Sequence, residues 1–141
     1  MKEVKEAFCP SCGKYVAFNV ETAMEKVNVR GVEVTVPVQY CTCSECHEEL
    51  DVPSISEENL RVAYEAYKKK MGLMSGDEIK ALRAKYHISA SALSLLIGAG
   101  EKTITRYENG AIQDAVYDRI LKLLEAPEIF EKMVELNKKE S

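Results

Sequence analysis

The chain has 141 residues, 46% of them hydrophobic, and its 23 acidic and 19 basic side chains give a formal net charge of −4. This balance argues against a protein that binds nucleic acid over its whole surface, because such proteins are basic. No apolar run is long enough to cross a membrane, and the first residues lack the apolar stretch of a secretory signal. We therefore expect a cytoplasmic protein with no membrane partner.

Four cysteines form two pairs in the first third of the chain, Cys9-Pro-Ser-Cys12 and Cys43-Ser-Glu-Cys46. A Cys-x2-Cys pair places two thiolates on one tight turn, and two such turns supply the four sulfur ligands that tetrahedral Zn²⁺ prefers. Disulfides or reduced core thiols are the alternative, but disulfides seldom form across Cys-x2-Cys and are rare in the cytoplasm. The spacing predicts one structural zinc ion per chain, bound by these four residues.

Two nearby residues complicate the ligand set. Cys41 offers a second, tighter spacing with Cys43, and His47 directly follows Cys46. We favour Cys43 and Cys46, because a two-residue gap leaves room for the turn that aims both sulfur atoms at one metal. Cys41 is then expected to be a small buried hydrophobic residue at a strand end, with His47 as an alternative ligand.

The segment between the cysteine pairs has the alternation of β-structure. Valines at positions 32, 34, 36 and 38 alternate with polar residues and Pro37, and the valine-rich stretch 15–29 precedes a plausible turn at Arg30-Gly31. The pattern predicts a β-hairpin whose ends carry the metal ligands, in a zinc-binding domain of residues 1–54. So small a sheet would obtain much of its folding free energy, on the order of 10 kcal/mol, from zinc.

A linker helix is predicted over residues 55–72. Ser54 and Glu57 fit a capping box, and the helix is expected to run to about Met71 with an apolar stripe formed by residues 60, 64, 67 and 71. Its last turn carries Lys68, Lys69 and Lys70. These cations either complement the helix dipole in solvent or contact phosphate.

Residues 73–141 are predicted to form an all-α domain of five short helices. Ser75 with Glu78, Ser89 and Asp114 fit helix N-caps, and Pro127 fits the start of the last helix. The expected helices begin at Ser75, span Ala90–Ile97, Lys102–Asn109 and Asp114–Leu124, and follow Pro127. The fold class is thus α+β: a small zinc-bound β-hairpin domain followed by a five-helix domain.

The second and third of these helices, joined by Gly98-Ala-Gly100, have the pattern of a helix-turn-helix, whose second helix enters the DNA major groove. Ile104 and Tyr107 are expected to point inward. The outward residues are then predicted to be Lys102, Thr103, Thr105 and Arg106, whose side chains can read guanine edges, thymine methyl groups and phosphates.

The segment Ile104-Thr-Arg-Tyr-Glu-Asn-Gly110 resembles the recognition helix of the Xre and phage-repressor family. A module with two Cys-x2-Cys pairs followed by that domain resembles, over nearly the whole chain, the YgiT/MqsA-type antitoxins. The resemblance implies a homodimer formed by the C-terminal domain that binds palindromic operator DNA and represses its own operon. It also implies that the zinc domain binds a cognate toxin.

The resemblance also assigns roles to single residues. It implies base contacts by Lys102 and Arg106, with Thr103 and Thr105 contacting backbone or methyl groups. It further implies an ion pair between Arg83 and Glu108 that holds the recognition helix at its angle.

Two positions depart from the family pattern. Ala90 stands where a phosphate-holding glutamine is usual. Either the phosphate contacts come from elsewhere, such as Lys102, Lys85 or the run Lys68–Lys70, or operator affinity is weak without a partner. His47 stands where the second cysteine pair usually has glycine, so that turn is expected to differ in shape from the one that ends at Gly13.

An enzyme is not expected, because the two histidines, His47 and His87, occupy unrelated places and four thiolates leave zinc no open position. The alternative function is a stand-alone transcription regulator of the same Xre type. In that case the zinc module would sense metal, redox state or a ligand, with Cys41 as the sensing thiol.

Overall fold

The computed structural model describes residues 6–140, with side chains up to residue 138. Within this range four strands precede six helices. The strands are β1 (Glu6–Cys9), β2 (Lys14–Val29), β3 (Val32–Cys43) and β4 (Glu49–Leu50), and the helices are α1 (Pro53–Met71), α2 (Gly76–Lys85), α3 (Ala90–Leu96), α4 (Thr103–Glu108), α5 (Ala115–Leu123) and α6 (Pro127–Glu140).

The chain divides into two compact units, residues 1–63 and residues 64–141. The division falls within α1, inside the predicted linker helix of residues 55–72. The outermost residues of the predicted domains, 1–5 and 141, lie outside the described part of the chain. None of the helices in the described residues is both long and apolar enough to span a membrane.

The first unit is built on a long antiparallel hairpin. β2 and β3 pair from Phe18 with Cys43 to Val29 with Val32. The connecting residues Arg30 and Gly31 both have positive φ, 51° and 83°, as a two-residue turn between twisted strands requires. This turn lies where the sequence predicts it. β1 pairs with the outer side of β2 and β4 with the outer side of β3, in the order β1-β2-β3-β4.

The fold prediction, a β-hairpin domain followed by a five-helix domain, is wrong in its element count. Each Cys-x2-Cys turn reverses the chain, so the residues before Cys9 pair with those after Gly13, and Glu49–Leu50 pairs back onto β3. The described part of the first unit therefore contains a four-stranded sheet rather than a hairpin alone. Six helices follow it, because the helix assigned to a linker is α1, and its second half belongs to the helical unit.

The core of the first unit lies at the end of the sheet that carries the cysteine pairs. Its buried residues are Cys9, Val16, Cys41, Cys43 and Leu50, and partly buried residues that include Phe18, Val52 and Ile55 pack against them. Further along β3, Val34 and Val36 are buried on the opposite face, since residues of even and odd number point to opposite sides of a strand. The valine alternation therefore does not continue to Cys41.

Helix α1 begins at Pro53, two residues earlier than predicted, so the capping box of Ser54 and Glu57 is absent. Pro53 occupies the first helical position, which suits its fixed φ and missing N–H. Further along α1, the Asn59 side chain accepts from the Gln39 N–H and donates to the Gln39 carbonyl, at 2.9 Å each. Asn59 thus continues the pairing of β3 beyond the short strand β4.

The helical unit has the N-caps that the sequence predicts. Ser75 and Glu78 form a capping box, the Ser89 side chain accepts from the Ala92 N–H, and the Asp114 side chain accepts from the Val116 N–H. The helices enclose an apolar core whose buried residues are Met74, Ile79, Leu82, Leu93, Ile97, Ile104, Tyr107, Leu121 and Leu124. Helices α2, α3 and α4 therefore pack around one core.

A buried polar cluster joins the start of α2 to α5. The Asp118 carboxylate accepts from the Met74 N–H at 2.8 Å and from Gln113 at 3.0 Å, and it pairs with Lys122. Desolvation raises the pKa of Asp118, but the hydrogen bonds from Lys122, Met74 and Gln113 outweigh it and hold the pKa below its ordinary value. Asp118 is therefore ionised at neutral pH and fixes the segment that leads into α2.

Candidate metal centre and candidate DNA-reading helix

The two cysteine turns bring four sulfur atoms together. The Sγ atoms of Cys9, Cys12, Cys43 and Cys46 all lie within 4.8 Å of one another. Cys9 Sγ is 3.6 Å from Cys46 Sγ, and Cys12 Sγ is 3.8 Å from Cys43 Sγ. A tetrahedral site with metal–sulfur bonds of about 2.3 Å has sulfur–sulfur edges of about 3.8 Å, whereas a disulfide needs about 2.05 Å. The spacing fits a tetrahedral metal site and excludes disulfides among these four sulfurs.

The two cysteine turns have the same backbone geometry. In the first, the Gly13 N–H donates to the Cys9 carbonyl at 2.8 Å, and in the second the His47 N–H donates to the Cys43 carbonyl at 2.9 Å. Gly13 has φ of 68° and His47 has φ of 66°. The expectation that the second turn differs in shape is therefore wrong. His47 adopts the left-handed conformation that glycine adopts more readily.

The four thiols differ in their electrostatic surroundings. Hydrogen bonds to Cys43 Sγ from the backbone N–H of Cys46, at 3.5 Å, and of Glu45, at 3.4 Å, lower the pKa of Cys43 to about 7. Desolvation and the neighbouring sulfur atoms raise the pKa of Cys12 to about 12. The surroundings thus favour the thiolate at Cys43 and disfavour it at Cys12. A bound cation would supply the positive charge that lets Cys12 ionise.

Cys41 and His47 lie outside the group of ligand atoms found in the described residues. Cys41 is 3% exposed and packs in the sheet core, as the sequence predicts. Desolvation raises the pKa of the Cys41 thiol. His47 is exposed, and its backbone, rather than its imidazole, takes part in the turn.

Helix α4 presents a polar face that differs in part from the predicted one. Lys102, Thr105 and Arg106 are exposed, but Thr103 is only 5% exposed. Thr103 is the first residue of this short helix, and its N–H donates to the Gly100 carbonyl at 3.0 Å, so it faces the preceding turn. The expectation that Thr103 points outward is therefore wrong.

Asn109 is the exposed residue that sequence reasoning missed. Residues 102, 105, 106 and 109 follow the helical spacing of one face, so extending that spacing to the last residue of the predicted helix would have found it. The exposed row of Lys102, Thr105, Arg106 and Asn109 is called the α4 face below.

The structure joins Arg83 of α2 to Glu108 at the end of α4, the pair that the family resemblance implies. Arg83 Nε lies 2.6 Å from Glu108 Oε2, and Nη2 lies 3.0 Å from Oε1. The Glu108 side chain is 6% exposed and that of Arg83 30%. This bidentate, partly buried geometry is the strong form of a charged hydrogen bond. Glu108 also raises the pKa of Arg83.

Lys68 does not lie in solvent, although the sequence groups it with Lys69 and Lys70. Its side chain is fully buried, and Nζ donates to the Tyr107 carbonyl in α4 at 2.9 Å and pairs with Glu65 at 3.1 Å. Lys68 is therefore excluded from phosphate contact. In the sequence, nothing distinguishes Lys68 from Lys69 and Lys70. The one sign of a partner is Glu65, the acidic residue three positions before it.

A comparison with protein-family models finds no model that matches the chain, and a comparison with curated protein sequences finds no significant match. The functional interpretation therefore depends on the geometry of the cysteine cluster and of the α4 face.

The matched turns predict opposite effects for two substitutions. His47→Gly should raise the free energy of unfolding by about 0.5 to 1 kcal/mol, because it relieves a left-handed conformation. Gly13→Ala, the control in the other turn, should lower it by about 1 kcal/mol, since a Cβ there contacts nothing and only backbone strain is added. Denaturant unfolding of the metal-bound protein measures both. A lower free energy of unfolding for His47→Gly would show that the left-handed backbone at His47 is not a source of strain.

Proposed function

We propose that this protein is a sequence-specific DNA-binding antitoxin and transcriptional autorepressor whose N-terminal unit is stabilised by zinc. The observation that carries the DNA-binding part is the α4 face, a row of polar side chains on a helix whose opposite side is buried and anchored by Arg83 and Lys68. A rigid short helix with donors on its free side suits the major groove.

Zinc is the metal that best suits the cysteine cluster. Four thiolates in tetrahedral array match its ligand and geometric preferences, and they leave no position for a substrate or water. The role is then structural rather than catalytic. One ion per chain would join the β1–β2 turn to the β3–β4 segment and stabilise the end of the sheet at which both turns lie.

The α4 face offers a distinct chemistry at each position. The Arg106 guanidinium can donate two parallel hydrogen bonds to a guanine, and the Asn109 amide can pair with an adenine. Thr105 carries a methyl group that suits thymine, and Lys102 at the start of the helix suits a phosphate or a guanine. Specificity is therefore assigned chiefly to Arg106.

Exposed apolar side chains in the helical unit support a homodimer. Val116 and Leu123 are 60% and 57% exposed and lie seven residues apart on α5, and Ile129 and Leu136 have the same spacing on α6. Apolar side chains repeated on one face of a helix offer a surface that a second copy of the chain could cover. A two-fold dimer would read a palindromic operator.

The antitoxin part of the proposal rests on the sequence resemblance and on charge. Residues 1–56 carry nine acidic and five basic side chains, and four zinc-bound thiolates would make this unit more negative. Such a surface suits a protein partner with a basic surface and repels DNA. The alternative of a redox-sensing regulator is less well supported, because Cys41 is buried with a raised pKa, the opposite of a reactive thiol.

Arg106→Ala should weaken binding to operator DNA by about 1 to 3 kcal/mol and relax the preference at one base position in each half-site. Footprinting on the DNA upstream of the gene identifies the operator, and titration of wild-type and variant protein measures affinity. Lys80→Ala, which removes an exposed cation from α2, serves as the control and should have little effect. An unchanged footprint and affinity for Arg106→Ala would exclude α4 from base recognition.

Co-expression with the product of the adjacent gene should yield a stable complex and suppress the toxicity of that product. The Arg106→Ala variant should neutralise the partner as well as the wild type does, because the two activities are assigned to different units. Absence of a complex, together with DNA binding that responds to metal or oxidant in the isolated protein, would instead support the stand-alone regulator.

A further inference from the structure

Lys68 is a fully buried cation in a domain whose other basic side chains are at least partly exposed among the described residues. Removing an ammonium group from water costs several kcal/mol unless it is paired and hydrogen-bonded. Its Nζ meets both conditions, through Glu65 at 3.1 Å and the Tyr107 carbonyl at 2.9 Å. The second contact is at the C-terminal end of α4, where a helix favours positive charge.

The partner of Lys68 extends the connection to α2. Glu65 Oε1 accepts from the Gly76 N–H, the first residue of α2, at 2.9 Å. Gly76 in turn packs against the end of α4, where a Cβ on this residue would lie 2.6 Å from the Glu108 carbonyl oxygen. The Glu65–Lys68 pair therefore connects the second half of α1 to the two helix ends that meet at Glu108.

The α4 helix has only six residues, too few to be stable alone, so its orientation depends on contacts with its neighbours. At its other end, the Ile104 N–H donates to Ser94 Oγ of α3 at 2.9 Å. At its C-terminal end, the Arg83–Glu108 pair approaches from α2 and Lys68 from α1. Lys68 therefore adds a second polar anchor at the C-terminal end of α4, from a different helix than Arg83.

We propose that Lys68, held by Glu65, is a positioning residue for DNA recognition: it sets the direction of the α4 face without touching DNA. This inference rests on the proposed DNA-binding function. It also extends the DNA-reading unit upstream of residue 73, since the second half of α1 supplies an anchor that the predicted domain of residues 73–141 lacks.

The test compares Lys68→Met, which keeps most of the apolar stem and removes the charge, with Lys69→Met, which makes the same change at the exposed neighbour. Full-length variants are titrated with the duplex that the wild-type protein footprints, at several salt concentrations. Lys68→Met should weaken binding about tenfold and reduce discrimination against mismatched duplexes, equivalent to loss of one base contact. The salt dependence should remain that of the wild type, because no phosphate contact is lost.

Lys69→Met should leave discrimination unchanged. A folded Lys68→Met protein with wild-type affinity and discrimination would overturn the positioning role, even if its thermal stability were lower. Two further variants test the proposal if Lys68→Met does not fold. Glu65→Gln removes the ion pair but keeps an acceptor for the Gly76 N–H. Gly76→Ala adds a Cβ that would lie 2.6 Å from the Glu108 carbonyl oxygen. Both should reduce discrimination, and wild-type discrimination in both would also overturn the proposal.

The amide NMR signals of Thr105 and Arg106 test the positioning role of Lys68 independently of the proposed DNA-binding function. If the wild-type protein binds no DNA, the DNA-binding proposal fails, and the signals alone then test whether Lys68 positions α4. Displaced signals in Lys68→Met and unchanged signals in Lys69→Met support positioning. Unchanged signals in Lys68→Met overturn it.

Discussion

The N-terminal unit depends on the convergence of four sulfur atoms that come from turns more than thirty residues apart. Cys12 and Cys43 are 31 positions apart, and Cys9 and Cys46 are 37. At the end of the sheet that carries the cysteine pairs, three of the five buried residues of the core are cysteines, and two of those, Cys9 and Cys43, belong to the four-sulfur cluster. The apolar core is thus too small to hold the two turns together against the entropy of the chain. A metal ion bound by the four sulfur atoms would remove the repulsion between thiolates and link the two turns directly.

The helical unit also holds distant parts of the chain together through specific contacts, but these are polar contacts around α4. Its apolar core brings α2, α3 and α4 together, but hydrophobic packing is non-directional and does not fix the angle of a six-residue helix. Directional contacts at Lys68, Arg83 and Ser94 supply that angle. Buried charge is costly, so its presence behind the α4 face is consistent with a requirement for orientation rather than for stability alone.

Local sequence signals predicted the parts of the fold that depend on neighbouring residues. The caps at Ser75, Ser89 and Asp114 and the turn at Arg30-Gly31 follow from short-range chemistry. The grouping of the four cysteines is a long-range feature, and it is predicted from the preference of zinc for four sulfur ligands. Strands β1 and β4 were missed because they are short and become strands only through pairing beside the cysteine turns. Thr103 was misassigned because helical periodicity says nothing about the turn against which a first residue packs.

Tertiary contacts account for the other differences. Lys68 has the sequence context of a solvated helix end, and only the approach of α4 makes it a buried anchor. His47 adopts a backbone conformation more typical of glycine because the turn geometry, set by convergence of the sulfur atoms, overrides the preference of a single residue. Both are places where local preference and the global arrangement disagree, and such places often coincide with sites of function.

The central claim is that the four cysteines form a closed zinc site on which the N-terminal unit depends. X-ray absorption at the zinc edge, on protein purified without added metal, tests it most directly. We predict about one zinc per chain with four sulfur neighbours at about 2.3 Å and no nitrogen or oxygen neighbour. A folded protein without zinc, or a zinc shell that contains nitrogen or oxygen, would contradict it.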